Sequence, residues 1–273
     1  MKQSLLPLLR NQRESCLEGD LTVLNWNISN PSFQRARQQI RWITDMDADV
    51  IILTEAKLSQ GSQFLRDELE LYGYRVFFPE PDNNGYCTLV ATKDSSSYLV
   101  QVNVEFLPCR AVFVRSSNPI DFDVVGIYVP SRGPKQKRNL DKRRFQYHIS
   151  SLLRYFVNDN RSNGLIVGGD LNVVERNHVP YYSHFGEWEY EFYESFSSIG
   201  LVDAYRQLHP EVREYSWFGR TGNGYRFDHF FVSKHMASRI VECRYLHQAR
   251  GQNLSDHSAM YLTMELMKCE EGK

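Results

Sequence analysis

Charge of one sign is the first thing this chain lacks: across 273 residues, 32 Lys and Arg meet 33 Asp and Glu, for a formal net charge of -1. A protein that coats a polyanion by charge alone needs a basic excess, so any such contact here must be a local patch. Cysteine is scarce as well. Cys16, Cys87, Cys109, Cys243 and Cys269 are odd in number and scattered, with no C-x-x-C spacing for zinc or dithiol chemistry, and read as free thiols in a reducing compartment. Long apolar runs are missing too: MKQSLLPLLRNQRES is broken by Pro7 and closed by Arg10, too short for a signal segment or a membrane span. The expectation is a cytoplasmic protein with no membrane partner and no obligate protein partner. Finally, no Pro/Gly/Ser-rich linker, low-complexity tract or internal repeat divides the chain, which favours one domain over residues 21–268 behind an N-terminal appendage of residues 1–20.

What is present is a series of apolar runs of strand length: LTVLNWN, VIILT, YRVFF, YCTLVAT, AVFVR, FDVVGIYV, LIVGGD, FDHFFVS and AMYLTME. Helical periodicity is clearest over 137–157, where Phe145, Ile149, Leu152, Leu153 and Phe156 share a face, and recurs over 34–46, 62–71 and 189–199. Many strands with helices between some of them predict a four-layer α/β/β/α sandwich with two packed mixed sheets.

Several of these runs end on polar residues that bind metals or handle phosphate. LTVLNWN delivers Asn27 at a strand mouth, where a turn-capping role is the plain alternative. Glu55 follows VIILT directly, and a carboxylate abutting a buried strand is costly unless paired or bound to a cation. VVGIYVPSRG offers Tyr128 and Arg132, although Tyr128 by itself reads as a core residue. In LIVGGDLNV, Asp170 and Asn172 are two apart and, if extended, share a face; Gly168 and Gly169 allow close approach of a backbone or a ligand. Asp228 interrupts the aromatic run YRFDHFFVS, and LSDHSAM sets Asp256 beside His257. An Asp partner keeps an imidazole in one tautomer or makes it cationic.

In this order, WN, TEAK, IYVP, GGDLN, RFDH and SDH resemble the motif set of the endonuclease/exonuclease/phosphatase superfamily over about residues 22–266. The chain is most similar to the exonuclease III and apurinic/apyrimidinic endonuclease branch, through Lys57 in TEAK, YVP before a basic helix, and GDLNV followed by GLVDAYRQLHP. The resemblance implies a DNA nuclease, of the abasic-site endonuclease or 3′ exonuclease type. It implies that Glu55 and Asn27 hold Mg²⁺ or Mn²⁺ with Asp256 contributing, and that Asp170 activates water with Asn172. His257, polarised by Asp228, and Tyr128 would bind the phosphate oxygens. Hard oxygen ligands suit those ions, and a phosphodiester's own charge must be neutralised before water attacks. Two positions depart from the pattern. Ser29 stands where an Asp or Asn often assists the metal, and His229 replaces the usual aromatic and is expected to be structural.

Substrate contacts are expected from Lys57 and from the one dense cationic stretch, Arg132, Lys135, Lys137, Arg138, Lys142, Arg143 and Arg144, against Asp141 alone. Its plain alternative is a solvated helix face. The aromatic stretch after Asn172 reads first as pinning a long loop to the core, with base stacking as the other option. Trp217, Tyr225 and Phe227 resemble a sugar pocket. RNA, a nucleotide or a small phosphorylated molecule is the alternative substrate, and a dead binding protein is disfavoured because the motif set is complete.

Overall fold

The computed structural model describes residues 19–80, 85–118, 120–133, 136–158 and 164–265. Most of the expected appendage, together with Cys16, Cys269 and Lys135, lies outside those residues. In chain order the strands are β1 (Asp20–Asn27), β2 (Val50–Ala56), β3 (Arg75–Phe77), β4 (Cys87–Thr92), β5 (Tyr98–Leu99), β6 (Ala111–Ser116) and β7 (Phe122–Tyr128). They continue as β8 (Leu165–Asp170), β9 (Leu201–Asp203), β10 (Trp217–Phe218), β11 (Gly224–Tyr225), β12 (Asp228–Ser233), β13 (Ile240–Leu246) and β14 (Ala259–Glu265). The helices are α1 (Phe33–Asp45), α2 (Gln60–Leu71), α3 (Gln136–Val157), α4 (Glu187–Ser198), α5 (Ala204–Leu208) and α6 (Gln248–Gly251).

Two six-stranded sheets form, ordered β13-β14-β1-β2-β4-β3 and β5-β6-β7-β8-β12-β9. Alternation decides which residues meet between them. Val23, Val50 and Ile52 of the first sheet pack on Val124, Ile166 and Phe230 of the second. The opposite face of the first sheet, with Leu24, Trp26, Ile51 and Leu53, packs on Ile40 and Ile43 of α1 and on Leu65 and Leu69 of α2. The far face of the second packs on Phe145, Ile149 and Leu153 of α3 and Phe196 of α4. Each such buried aliphatic contributes roughly 1.5–3 kcal/mol, and the sum is the predicted α/β/β/α sandwich.

Both sheets are mixed, and their parallel pairs position the site. β1 runs parallel to β2, and β7 parallel to β8. Parallel partners bring their C-terminal ends to one edge, here Asn27 beside Thr54 and Tyr128 beside Asp170. β12 is antiparallel to β8, with Asp228 opposite Asp170. β14 is antiparallel to β1, which sets the preceding His257 near Asn27.

Gly168 allows the close approach of the two sheets, and Gly169 that of the β7 backbone beside it. A Cβ on Gly168 would meet Ile52 Cδ1 at 2.7 Å across the sheets, and one on Gly169 would meet the Ile127 carbonyl oxygen at 1.8 Å. Ser32 and Ser59 cap α1 and α2 by accepting from the amides of Arg35 and Ser62. β13 went unread because IVECRYL mixes exposed polar residues into its apolar ones. No helix among the described residues is long and apolar enough to cross a membrane.

Candidate active site

At the strand ends, Asn27 Nδ2 donates to Asp170 Oδ2 at 2.9 Å and lies 3.4 Å from His257 Nε2. Its Oδ1 accepts from the Ser29 amide. Asp170 Oδ1 accepts from the Asn172 amide at 2.9 Å, while Asn172 Nδ2 reaches Asp170 Oδ2 at 3.1 Å and the Val129 carbonyl at 3.0 Å. Strand alternation is not what joins this pair, contrary to the expectation from spacing. β8 ends at Asp170, Asn172 is left-handed at φ 49°, and a tight side-chain turn folds the two together. Asn tolerates that conformation where a branched residue would not.

His257 Nδ1 lies 2.7 Å from Asp228 Oδ2. Burial opposes the imidazolium, but the charge and hydrogen bond of Asp228, with Asp170 and Asp256 nearby, outweigh it and push the ring up to about 10. At neutral pH it is a cation. Burial and the neighbouring Asp228 push the Asp170 carboxyl up to about 8, with His257 pulling against them and Glu55 adding to them. Glu55 sits in the left-handed region at φ 56° and accepts the Tyr128 hydroxyl at 2.7 Å. Burial, then Glu55 and Asp170, raise that phenol well above its ordinary value, so it stays a donor. Asp256 Oδ2 accepts from Trp217 Nε1 at 2.9 Å.

Glu55, Asp170, Asp228 and Asp256 thus crowd one strand edge, with the imidazolium of His257 among them and the Arg110 guanidinium beside Tyr128 and Glu55. A divalent cation fits that imbalance, and the oxygen donors are the hard ligands that Mg²⁺-type ions take. Ligand atoms of Asp170, Asp228 and His257 also lie within 4.8 Å of one another. In that trio the His257 Nδ1 is already engaged by Asp228 Oδ2 at 2.7 Å, and a metal-binding histidine must be neutral. Glu55 and Asp256, which border the cavity, can hold the ion, and Asn27 can add its oxygen's second lone pair.

The cavity beside them, about 540 Å³, is also lined by the aromatics His184, Phe185, Trp217, Tyr225 and Phe227 and by Ser131, Arg132 and Gly133. Tyr182 stacks on Tyr225 at 4.3 Å, and Tyr182, Phe185 and Tyr190 are buried. The aromatic stretch therefore does pin its loop, while His184 and Phe185 in it also face the cavity. Phe185 belongs to the aromatics weighed for base stacking, whereas His184 carried no signal of its own, since only long-range folding brings it to the cavity. Arg110, 4.5 Å over the Tyr128 ring, was also missed, having no local signal.

The basic stretch divides. Arg132 borders the cavity, bonded to Glu189. Arg138 turns back onto Ser131 instead of lining the cavity. Lys142 is fully buried and cannot face a phosphate. Lys57 lies 4.3 Å over the Tyr86 ring and is not part of the cavity wall. Trp217 and Tyr225 line the cavity, and His229 is turned inward between Asp203 and the Val173 carbonyl.

The sequence profile described as the Endonuclease/Exonuclease/phosphatase family matches residues 24–257. An exodeoxyribonuclease of Bacillus subtilis (strain 168) is 25% identical over 272 residues, covering 90% of this chain and all of that protein. A DNA-(apurinic or apyrimidinic site) endonuclease of Arabidopsis thaliana is 25% identical over 313 residues, covering 90% of this chain and 84% of the relative. Among solved structures, an AP endonuclease from Archaeoglobus fulgidus aligns with a TM-score of 0.76 at 21% identity, over 90% of this chain and 100% of that one. A 3′-5′ exonuclease from Neisseria meningitidis aligns with the same TM-score at 20% identity and the same coverage.

Proposed function

The chain belongs to the Endonuclease/Exonuclease/phosphatase family, and from that premise we propose that it is a divalent-metal-dependent DNA nuclease that acts at abasic sites or 3′ ends in the cytoplasm. The observation that carries the reading is the convergence of Asp170, held by three amide N–H donors, with an Asp-paired imidazolium at one edge of a cavity. DNA as substrate is supported by the relatives, which are named for deoxyribonuclease and abasic-site endonuclease activity.

Glu55, Asn27 and Asp256 hold Mg²⁺ or Mn²⁺, whose charge offsets that of the phosphodiester when bound. Asp170, whose raised carboxyl would ionise more readily beside a bound cation, takes the proton of the attacking water, which Asn172 helps to orient. His257, kept cationic by Asp228, and the Tyr128 hydroxyl donate to the non-bridging oxygens as charge builds there. Water adds to phosphorus in line as the opposite P–O bond breaks. Arg132 meets a flanking phosphate, and Trp217 and Tyr225 receive the sugar or base.

The purified protein with Mg²⁺ should cleave at least one member of a panel of abasic duplex, plain duplex, single strand, RNA and bis-p-nitrophenyl phosphate. EDTA or Asp170→Ala should abolish the cleavage with the fold intact by circular dichroism. Full activity in Asp170→Ala sinks the mechanism. Cleavage of non-nucleic substrates alone sinks the DNA reading and leaves the chemistry standing.

A further inference from the structure

Lys142 is the basic residue that the stretch around it does not explain. It lies on α3 with no exposure, and its Nζ donates to the Asn172 carbonyl at 2.7 Å and to Glu189 Oε1 at 2.5 Å. Asn172 is the left-handed residue of the turn that bonds Asp170. A left-handed residue turns its carbonyl away from the strand ladder, and a buried carbonyl needs a donor. Lys142 supplies a charge-assisted one.

Glu189, equally buried, makes this lysine tolerable inside the protein. Its other oxygen accepts from Arg132 and from the Gly186 amide. Arg132 lines the cavity from the segment after β7, and Gly186 follows His184 and Phe185, which line it too. One buried ammonium–carboxylate pair therefore ties the Asp170–Asn172 turn to two other segments that line the cavity. An apolar pair of similar volume would pack at least as well in a purely structural role, because buried ion pairs rarely add net stability. Only a cation with several donors serves a carbonyl and a carboxylate together.

We propose that Lys142 and Glu189 are positioning residues for phosphodiester cleavage: Lys142 sets the catalytic turn through the Asn172 carbonyl, and Glu189 sets Arg132 on the substrate rim. The inference rests on the function proposed above and predicts a division of kinetic effects. Lys142→Met should lower kcat roughly 10- to 100-fold, the scale of an ångström-sized misplacement, with KM within about twofold of wild type. Lys142→Arg, which keeps the charge and donors, should recover most of the lost kcat. Glu189→Gln should lower kcat and raise KM together, because it loosens both Lys142 and Arg132. Melting curves establish that each variant is folded.

An active wild type beside a folded Lys142→Met of unchanged kcat overturns the inference alone. If Lys142→Met does not fold, Glu189→Gln decides: wild-type kcat and KM in that variant overturn it. A wild type inactive on every phosphodiester sinks the functional reading and this inference with it.

Discussion

Arg226 and Asp228 stand two residues apart at the head of β12, and the charges gathered round them are settled in opposite ways. Arg226, fully buried, donates to Glu175, to Asp203 at 2.9 Å and to the Tyr193 hydroxyl at 2.8 Å, and Arg206 reaches Glu175 from the other side. Burial works against the Glu175 carboxylate, but the charge and hydrogen bonds of Arg226, with Arg206, overcome it and hold the group down at about 2. Asp203 is likewise held below its ordinary range, Arg226 and His229 outweighing its burial. Two carboxylates meet two guanidiniums. Around Asp228, by contrast, the same strand edge collects Glu55, Asp170 and Asp256 besides, with the imidazolium of His257 among them and Arg110 behind Tyr128, so that carboxylates outnumber cations. A balanced set completes itself within the fold, whereas an unbalanced one at a cavity leaves negative charge that a cation would complete.

The largest effect that sharpens this contrast is expected at Asp170. Asp170→Asn should lower the cleavage rate about 10²–10⁴-fold, the loss of a general base, yet raise the melting temperature because it removes one of the crowded carboxylates. Initial rates and thermal melts on one preparation check both halves, and a destabilised Asp170→Asn would break the contrast. Arg226→Met comes next. It should cost about 3–5 kcal/mol by taking the guanidinium from buried Asp203 and leaving Glu175 with Arg206 alone, read by denaturant unfolding, while the folded enzyme keeps kcat within about threefold of wild type. Unchanged stability would show that the Glu175–Arg226–Asp203 set is not self-balancing.

The strand edge that gathers Asn27, Glu55, Asp170 and Asp228 was legible in the sequence because strand ends are local features. A run such as VIILT announces its burial, and the polar residue that closes it, Glu55, is conspicuous by cost alone. The sandwich followed from the same runs. What stayed illegible depends on contacts distant in the chain. Lys142 sits among six other basic residues and only the fold shows that it points inward to Glu189, 47 residues on. Arg226 reads as one more arginine in YRFDH until Glu175 and Asp203 arrive beside it. Asn172 reads as strand alternation, and the actual left-handed turn is settled by Asp170, Val129 and Lys142 together.

The two charge sets also respond to pH with opposite sign, a smaller effect from one pH unit to the next. For Glu175, held at about 2 against an ordinary 4.5, the stabilisation is fully present above the ordinary value and is lost as pH falls through the folded one. For Asp170, raised to about 8 from 3.8, the folded protein keeps a proton that the unfolded chain has released, so stability falls as pH climbs through that window. His257 adds a later fall: its stabilisation is complete below 6.5 and lost as pH rises through about 10. Metal-free protein in EDTA should therefore melt highest at mildly acid pH and lose stability towards pH 9. One proton of difference is worth roughly 1.4 kcal/mol per pH unit, or about 2–4 °C in Tm for each kcal/mol. Asp170→Asn should retain only the later fall, from His257, and Arg226→Met should lose the protection on the acid side. Added Mg²⁺ should offset the decline in wild type, since a cation favours the ionised carboxylates. A wild-type Tm that stays flat from about pH 6 to about pH 9 in EDTA would mean that the carboxylates round Asp228 do not repel one another, and the contrast with Arg226 would fail at its origin.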